Sequence, residues 1–228
     1  MKKVVLFLMI GVLSINLNAQ DENSEQMTEE KVNKNSLAVS AGLPGFGVEY
    51  ARKLSTKFSG RLRYNFFKLT DYDPGEIDLS GNKVSALVNG ESNTVDILLE
   101  YAPFGGSFKL VGGIGILNKM DLNMLLEYDE SVTFGDVVLT KEDYGQLIAD
   151  LSWQGVAPYL GLGWGRAVPK SGFGFAVEFG TYFTSSPEVT LTATKLLAPT
   201  ADQEEEFAET FETWKYVPSI KFRLAYSF

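Results

Sequence analysis

The 228-residue sequence contains no cysteine and no histidine. The first absence removes disulfides, thiolate nucleophiles and a lipid anchored on cysteine, so an exported chain of this kind gains its stability elsewhere. The second removes the commonest general acid–base side chain and a frequent zinc ligand. Long apolar runs are scarce too. The run Val4 to Leu13 is shorter than the roughly 20 residues a helix needs to cross a bilayer. That scarcity excludes a helical membrane protein, but not spanning strands, which alternate in polarity and score weakly on hydropathy. Basic residues are outnumbered, 20 Lys and Arg against 29 Asp and Glu, for a net charge of −9. A chain this acidic is a poor partner for nucleic acid.

What is present begins with an export signature. Lys2 and Lys3 precede the apolar run, and Leu17-Asn18-Ala19 offers a cleavage site before Gln20, so residues 1–19 read as a signal peptide. Loss of those two lysines takes the charge from −9 to −11. Residues 20–34 (QDENSEQMTEEKVNK) are acidic and without period, and read as a disordered periplasmic leader. Residues 35–228 then carry a different pattern.

That pattern is clearest in Trp214 to Phe228 (WKYVPSIKFRLAYSF). Trp214, Tyr216, Pro218, Ile220, Phe222, Leu224, Tyr226 and Phe228 fall on one side, and Lys215, Val217, Ser219, Lys221, Arg223, Ala225 and Ser227 on the other. Strict alternation is a β-strand with an aromatic face and a cationic, polar face. Trp214 also fits the end of a helix, because Phe207, Phe211 and Trp214 recur at helical spacing after a Thr200-x-x-Gln203 cap.

The same alternation recurs along the chain and predicts eight strands. The first two flank a hairpin at Pro44-Gly45. The third places Leu62, Tyr64 and Phe66 against Arg61, Arg63 and Asn65. A turn-rich loop, TDYDPGEIDLSGN, leads to extended chain from Lys83, interrupted at Asn89-Gly90, with clean alternation over Thr94 to Pro103. Later strands cover Phe108 to Lys119, Val156 to Arg166 and Phe173 to Thr184. Between them Met120 to Trp153 reads as the longest connection, with extended VTFGDVVLT and a short helix capped by Thr140-x-x-Asp143. Connections after Leu54, Tyr101 and Arg166 are short, and those after Leu69, Lys119 and Thr184 are long. This parity, broken only by the short Pro44-Gly45 hairpin on the outer side, suits an antiparallel up-and-down transmembrane β-barrel with short periplasmic turns and long extracellular loops.

Two orientations compete: a soluble barrel or sandwich with an aromatic core, and a barrel with its aromatics in lipid. Volume decides. The polar face collects Glu49, Arg61, Arg63, Asp96, Glu100, Lys109, Glu178, Lys221 and Arg223 among many Gly, Ala and Ser. An eight-stranded barrel has room only for packed side chains, and the aromatic set is too bulky for it. The predicted lumen therefore holds a network in which Arg61, Arg63, Lys221 and Arg223 pair with Glu49, Asp96, Glu100 and Glu178.

The stretches YAPFGGSFKLVGGIG, VAPYLGLGWG and SSPEVTLTATK, with the terminal FRLAYSF, resemble a widespread group of eight-stranded bacterial outer-membrane proteins, similar in architecture to OmpA, OmpX and OmpW. The resemblance covers nearly all of residues 36–228. It implies an outer-membrane location, lipid and lipopolysaccharide as surroundings, and a monomer. Phe222, Leu224, Tyr226 and Phe228 match the terminal pattern that the barrel-assembly machinery reads in that group. It implies no catalytic residue, cofactor or metal site. Lipid-modifying barrel enzymes of similar size use a catalytic histidine, which is absent. Unlike full-length OmpA, the chain is expected to carry no peptidoglycan-binding domain after the barrel.

Other motifs are weak. Asp71, Asp73, Glu76 and Asp78 lack the spacing of an EF-hand and read as a solvated loop. Gly161, Gly163 and Gly165 alternate in a strand with no following helix, which is not a phosphate loop. Two functions are expected. One is a structural or surface-interaction barrel with a filled lumen and an unnamed extracellular ligand. The other is a narrow OmpW-like conduit for small apolar solutes.

Overall fold

A computed structural model describes residues 33–228 except 80–81, 129–131, 135–136, 140–142 and 144. The signal peptide, the leader through Val32 and the Thr140 helix cap lie outside the described residues. In chain order the strands are β1 (Asn35–Leu43), β2 (Gly45–Lys53), β3 (Phe58–Tyr72), β4 (Glu76–Leu79), β5 (Asn82–Tyr101), β6 (Phe108–Tyr128), β7 (Val132–Phe134), β8 (Val137–Leu139), β9 (Gln146–Ser152), β10 (Gly155–Trp164), β11 (Gly172–Phe183), β12 (Glu188–Ala193) and β13 (Tyr216–Ser227).

Eight of them close into a ring, each antiparallel to its neighbours: β1, β2, β3, β5, β6, β10, β11, β13 and back to β1. Closure leaves no unpaired edge around the wall. Asn35 and Phe228 exchange backbone hydrogen bonds of 3.0 and 3.3 Å, sealing the first strand to the last. Lys34 and Asn33, assigned to the leader by composition, already bond to the wall: the Lys53 amide donates to the Lys34 carbonyl at 2.7 Å and Asn33 Nδ2 to Ser227 Oγ at 3.0 Å.

The alternation sorts the two faces. Leu37, Val39, Val48, Tyr64, Phe66, Ile97, Leu160, Phe175, Phe222, Leu224 and Tyr226 are exposed on the outside. Ser36, Ala38, Glu49, Ala51, Arg61, Arg63, Asp96, Tyr159, Tyr182 and Arg223 are buried inside.

Above the ring the wall continues, and here several expectations need correction. The Asn89-Gly90 pair does not interrupt β5, because β3 and β6 flank it on both sides: Gly90 pairs with Leu69 and Leu122. Two ladders outweigh a local turn preference. The TDYDPGEIDLSGN segment is mostly sheet, with β3 running to Tyr72 and β4 pairing with the start of β5. Likewise β6 extends to Tyr128 and is covered by β9, which in turn pairs with β12. The supposed 34-residue connection is therefore mainly strand. VTF and VVL form the small hairpin β7–β8. Thr200 caps nothing: it lies in a 3-10 helix (Lys195–Gln203), and helix α1 (Glu204–Phe211) starts from Gln203 with no side-chain cap. The Phe207, Phe211 and Trp214 rings do meet in sequence, tilted and then edge to face, at 5.1 and 4.8 Å between centroids. Glu204 Oε2 accepts from the Leu191 amide at 2.8 Å, blocking part of the β12 edge.

A β-bulge at Asn118 sets the boundary between the two storeys. Asn93 pairs with Lys119 but Thr94 pairs with Leu117. Below the bulge the even residues Leu110, Ile114 and Ile116 face outward. Above it the odd residues Lys119, Asp121 and Asn123 do, because one inserted residue inverts the facing of a strand.

Candidate functional site

The nine charged residues singled out from sequence all lie in the lumen, at most 6% exposed. Their carriers are six strands of the ring: β2 (Glu49), β3 (Arg61, Arg63), β5 (Asp96, Glu100), β6 (Lys109), β11 (Glu178) and β13 (Lys221, Arg223). Alternation aims each inward, and antiparallel register sets them side by side. Glu49 pairs in register with Arg63, and Arg63 with Asp96.

Glu178 sits at the centre. Its Oε2 accepts from Arg61 Nη1 at 2.5 Å, and its Oε1 accepts from Arg63 Nη1 at 2.9 Å and from the Tyr159 hydroxyl at 2.7 Å. Arg61 also reaches Glu49 at 2.7 Å and Glu100 at 3.4 Å. Arg63 Nε donates to Asp96 at 2.7 Å, and Lys109 lies 3.3 Å from Glu100. Arg223 bonds the second oxygen of Glu49. Each carboxylate thus neutralises at least one cation taken out of water, which is what makes so many buried charges tolerable.

Lys221 departs from the expected pairing with a carboxylate. Its Nζ donates to the Gly45 carbonyl at 2.9 Å, and among the described residues no carboxylate lies within ion-pair distance. The reason is register: Lys221 pairs with Gly42, beside the hairpin at Pro44, and the glycines there leave a backbone carbonyl in reach.

Two lumen residues, Tyr159 and Tyr182, were missed by the sequence reading. Tyr182 donates to Asp96 at 2.9 Å, and Tyr159 lies under Arg63, whose guanidinium carbon is 5.4 Å from the ring centroid. Asn65 bridges Thr94 and Asp96 with two bonds of 2.9 Å. The signal was available, since Tyr159 alternates with Gly161 and Tyr182 with Gly180. The glycines make room: a Cβ on Gly115 would stand 2.5 Å from the Tyr182 ring, and one on Gly180 would strike the Tyr159 hydroxyl.

Both flanks of the network are filled. At the lower mouth the β10–β11 connection folds inward, burying Ala167 and Val168 against Ala51. The Ala167 amide donates to Glu100 at 3.0 Å, and Ser36 Oγ donates to the Ala167 carbonyl at 2.7 Å. Beside the charges, Leu98, Val111, Leu117, Met120, Tyr159 and Tyr182 pack along the β5–β6–β10–β11 wall, with Trp153 and Val217 against them. The space left between Glu100, Lys109, Glu178 and Arg223 is about 10 Å³, no more than one water occupies.

No protein-family model matches this sequence, and no curated protein does. Solved structures match throughout the barrel. The fold is that of CarO. Against the crystal structure of Acinetobacter baumannii CarO the chain is 19% identical with a TM-score of 0.62, covering 86% of this chain and 98% of that one. Against A. baumannii CarO2 it is 17% identical with a TM-score of 0.63, covering 87% and 100%. At such identities the likeness concerns the path of the backbone: an all-β antiparallel ring of eight strands.

Proposed function

We propose that the chain is an integral outer-membrane barrel with a sealed lumen, serving a structural or surface-interaction role and not conduction. The observation that carries this reading is the Arg61–Glu178–Arg63 bridge. It ties β3 to β11 across the interior, with Glu49, Asp96 and Glu100 completing the layer. The fold shared with the CarO barrels and the outward aromatic belt support the membrane location. The tucked Ala167–Val168 segment supports closure from the lower side. The finer likeness to OmpA and OmpX, which also pack their interiors, belongs to this reading, as do export by residues 1–19 and recognition of Phe222, Leu224, Tyr226 and Phe228 by the assembly machinery.

Planar-bilayer recording tests it. The refolded chain is expected to give no steady unitary conductance. Stable, reproducible channels would favour the OmpW-like conduit in its place.

A further inference from the structure

The outer wall above the bulge at Asn118 is not apolar. Paired residues on neighbouring strands share a face, so the exposed Phe66 and Tyr64 of β3 fix which side of β5, β6 and β9 points out. Three polar rows follow one another up that side. In the first, Asn118 Nδ2 donates to Asn93 Oδ1 at 3.4 Å and Asn93 Nδ2 to the Tyr64 hydroxyl at 3.0 Å. In the second, Lys119 lies 2.9 Å from Glu91 and 3.7 Å from Asp121, and Ser152 Oγ donates to Asp121 at 2.8 Å. In the third, the Asp71 amide donates to Asn89 Oδ1 at 2.7 Å, Asn89 Nδ2 to Asn123 Oδ1 at 3.2 Å, and Asn123 Nδ2 to Asp150 Oδ1 at 2.6 Å.

These rows frame a groove of about 290 Å³ bordered by Lys68, Asn89, Glu91, Lys119, Asp121 and Asp150. Its size is at the lower end of small-molecule sites. Its chemistry narrows the occupant. The carboxylates Glu91, Asp121 and Asp150 outnumber Lys68 and Lys119, so a bare anion is not attracted. Among the described residues no three acidic side chains converge as a metal site. Amides and carboxylates held in fixed rows suit a neutral polyol, whose hydroxyls donate to the carboxylates and accept from the amides.

Position narrows it further. The first row starts on the hydroxyl of Tyr64, and Phe66 stacks on Tyr64 with ring centroids 6.0 Å apart. A lipid whose chains cover these rings therefore lays its headgroup on the rows above. We propose that this groove binds the sugar headgroup of an outer-leaflet glycolipid. The proposal rests on the membrane orientation of the belt argued above.

The test uses the full folded barrel in phosphatidylcholine vesicles, titrated with a neutral glycosyl diacylglycerol, with its deacylated glycan, and with phosphatidylglycerol. Wild type is compared with Asn89→Leu/Asn123→Leu and with Asp150→Asn, each first shown to insert and to keep its heat-resistant gel mobility. Saturable glycolipid binding, weakened about tenfold or more in both variants, is expected. The glycan alone is expected to bind more weakly with the same ranking, and phosphatidylglycerol not to saturate. Equal binding of wild type and variants, or no saturable binding, overturns the groove. Glycan binding as tight as glycolipid binding overturns the lipid source. Failure of the wild type to insert at all overturns the orientation as well, whereas insertion without glycolipid binding overturns the groove alone.

Discussion

Glu178 on β11 and Arg61 on β3 meet across the lumen at 2.5 Å, although 117 residues separate them in the chain. The contact exists only because the ring closes. Both residues are at most 4% exposed in their side chains, and the other Glu178 oxygen holds Arg63.

Glu178→Ala removes the shared counter-charge of two buried guanidiniums. Stranding one member of such a pair costs about 3–5 kcal/mol. Urea unfolding from vesicles is expected to show a loss of at least this size, with a lowered temperature for loss of the compact gel form. Unchanged heat resistance would show that the network does not hold the barrel together.

Gly115→Ala is the second test. The new methyl would lie 2.5 Å from the Tyr182 ring and 3.0 Å from Asp96 Oδ1, so the tyrosine that donates to Asp96 must move. Overpacking of this kind costs about 1–3 kcal/mol. Combining it with Tyr182→Phe is not expected to recover the loss, because the obstructed atoms are ring carbons that phenylalanine keeps. Full retention of stability in the single variant would mean the ring is not packed on Gly115.

The faces were legible in the sequence for a simple reason. The side-chain period of a strand is two, so a barrel with an apolar outside and a polar interior writes each face directly into odd or even positions. Arg61, Arg63 and Glu178 could be placed inside from that parity alone. Their particular partners could not, because pairing across the lumen depends on strand stagger; Lys221, expected beside a carboxylate, reaches the Gly45 carbonyl. The upper storey was misread for a related reason. Asn89-Gly90 is a turn locally and a ladder position globally, and the Asn118 bulge shows only once both neighbouring strands are known.

The outward apolar face carries the third prediction. Val39, 57% exposed, lies midway along β1 between Leu224 and Val48. Val39→Arg is expected to cost about 2–4 kcal/mol, the penalty for a cation near the bilayer midplane of a barrel wall. Folding titrations in vesicles measure it, and a neutral result would place Val39 in water.

Above the belt, Glu91 and Lys119 supply a pH signature. The hydrogen bond from Lys119 holds the Glu91 carboxyl below its ordinary range, and the same bond raises the Lys119 ammonium. The contribution of Glu91 is complete above the ordinary carboxylate range and fades as pH falls through its lowered value. That of Lys119 is complete below the ordinary lysine range and fades as pH rises through its raised value. Lys119→Gln is expected to return the Glu91 titration upward, read by carboxyl NMR, without altering heat resistance, because exposed pairs add little. An unmoved Glu91 titration would show that the pair does not form in solution.

The absence of cysteine allows the most direct test of the orientation. Single cysteines carrying spin labels are placed in turn at Ser219, Phe222, Leu224, Ala225, Tyr226 and Ser227 of β13, in vesicles. Collision with lipid-dissolved oxygen is expected to be high at Phe222, Leu224 and Tyr226 and low at Ser219, Ala225 and Ser227. The opposite phase, or no alternation, would contradict a barrel that turns its aromatic rings to hydrocarbon and its charges to a packed interior.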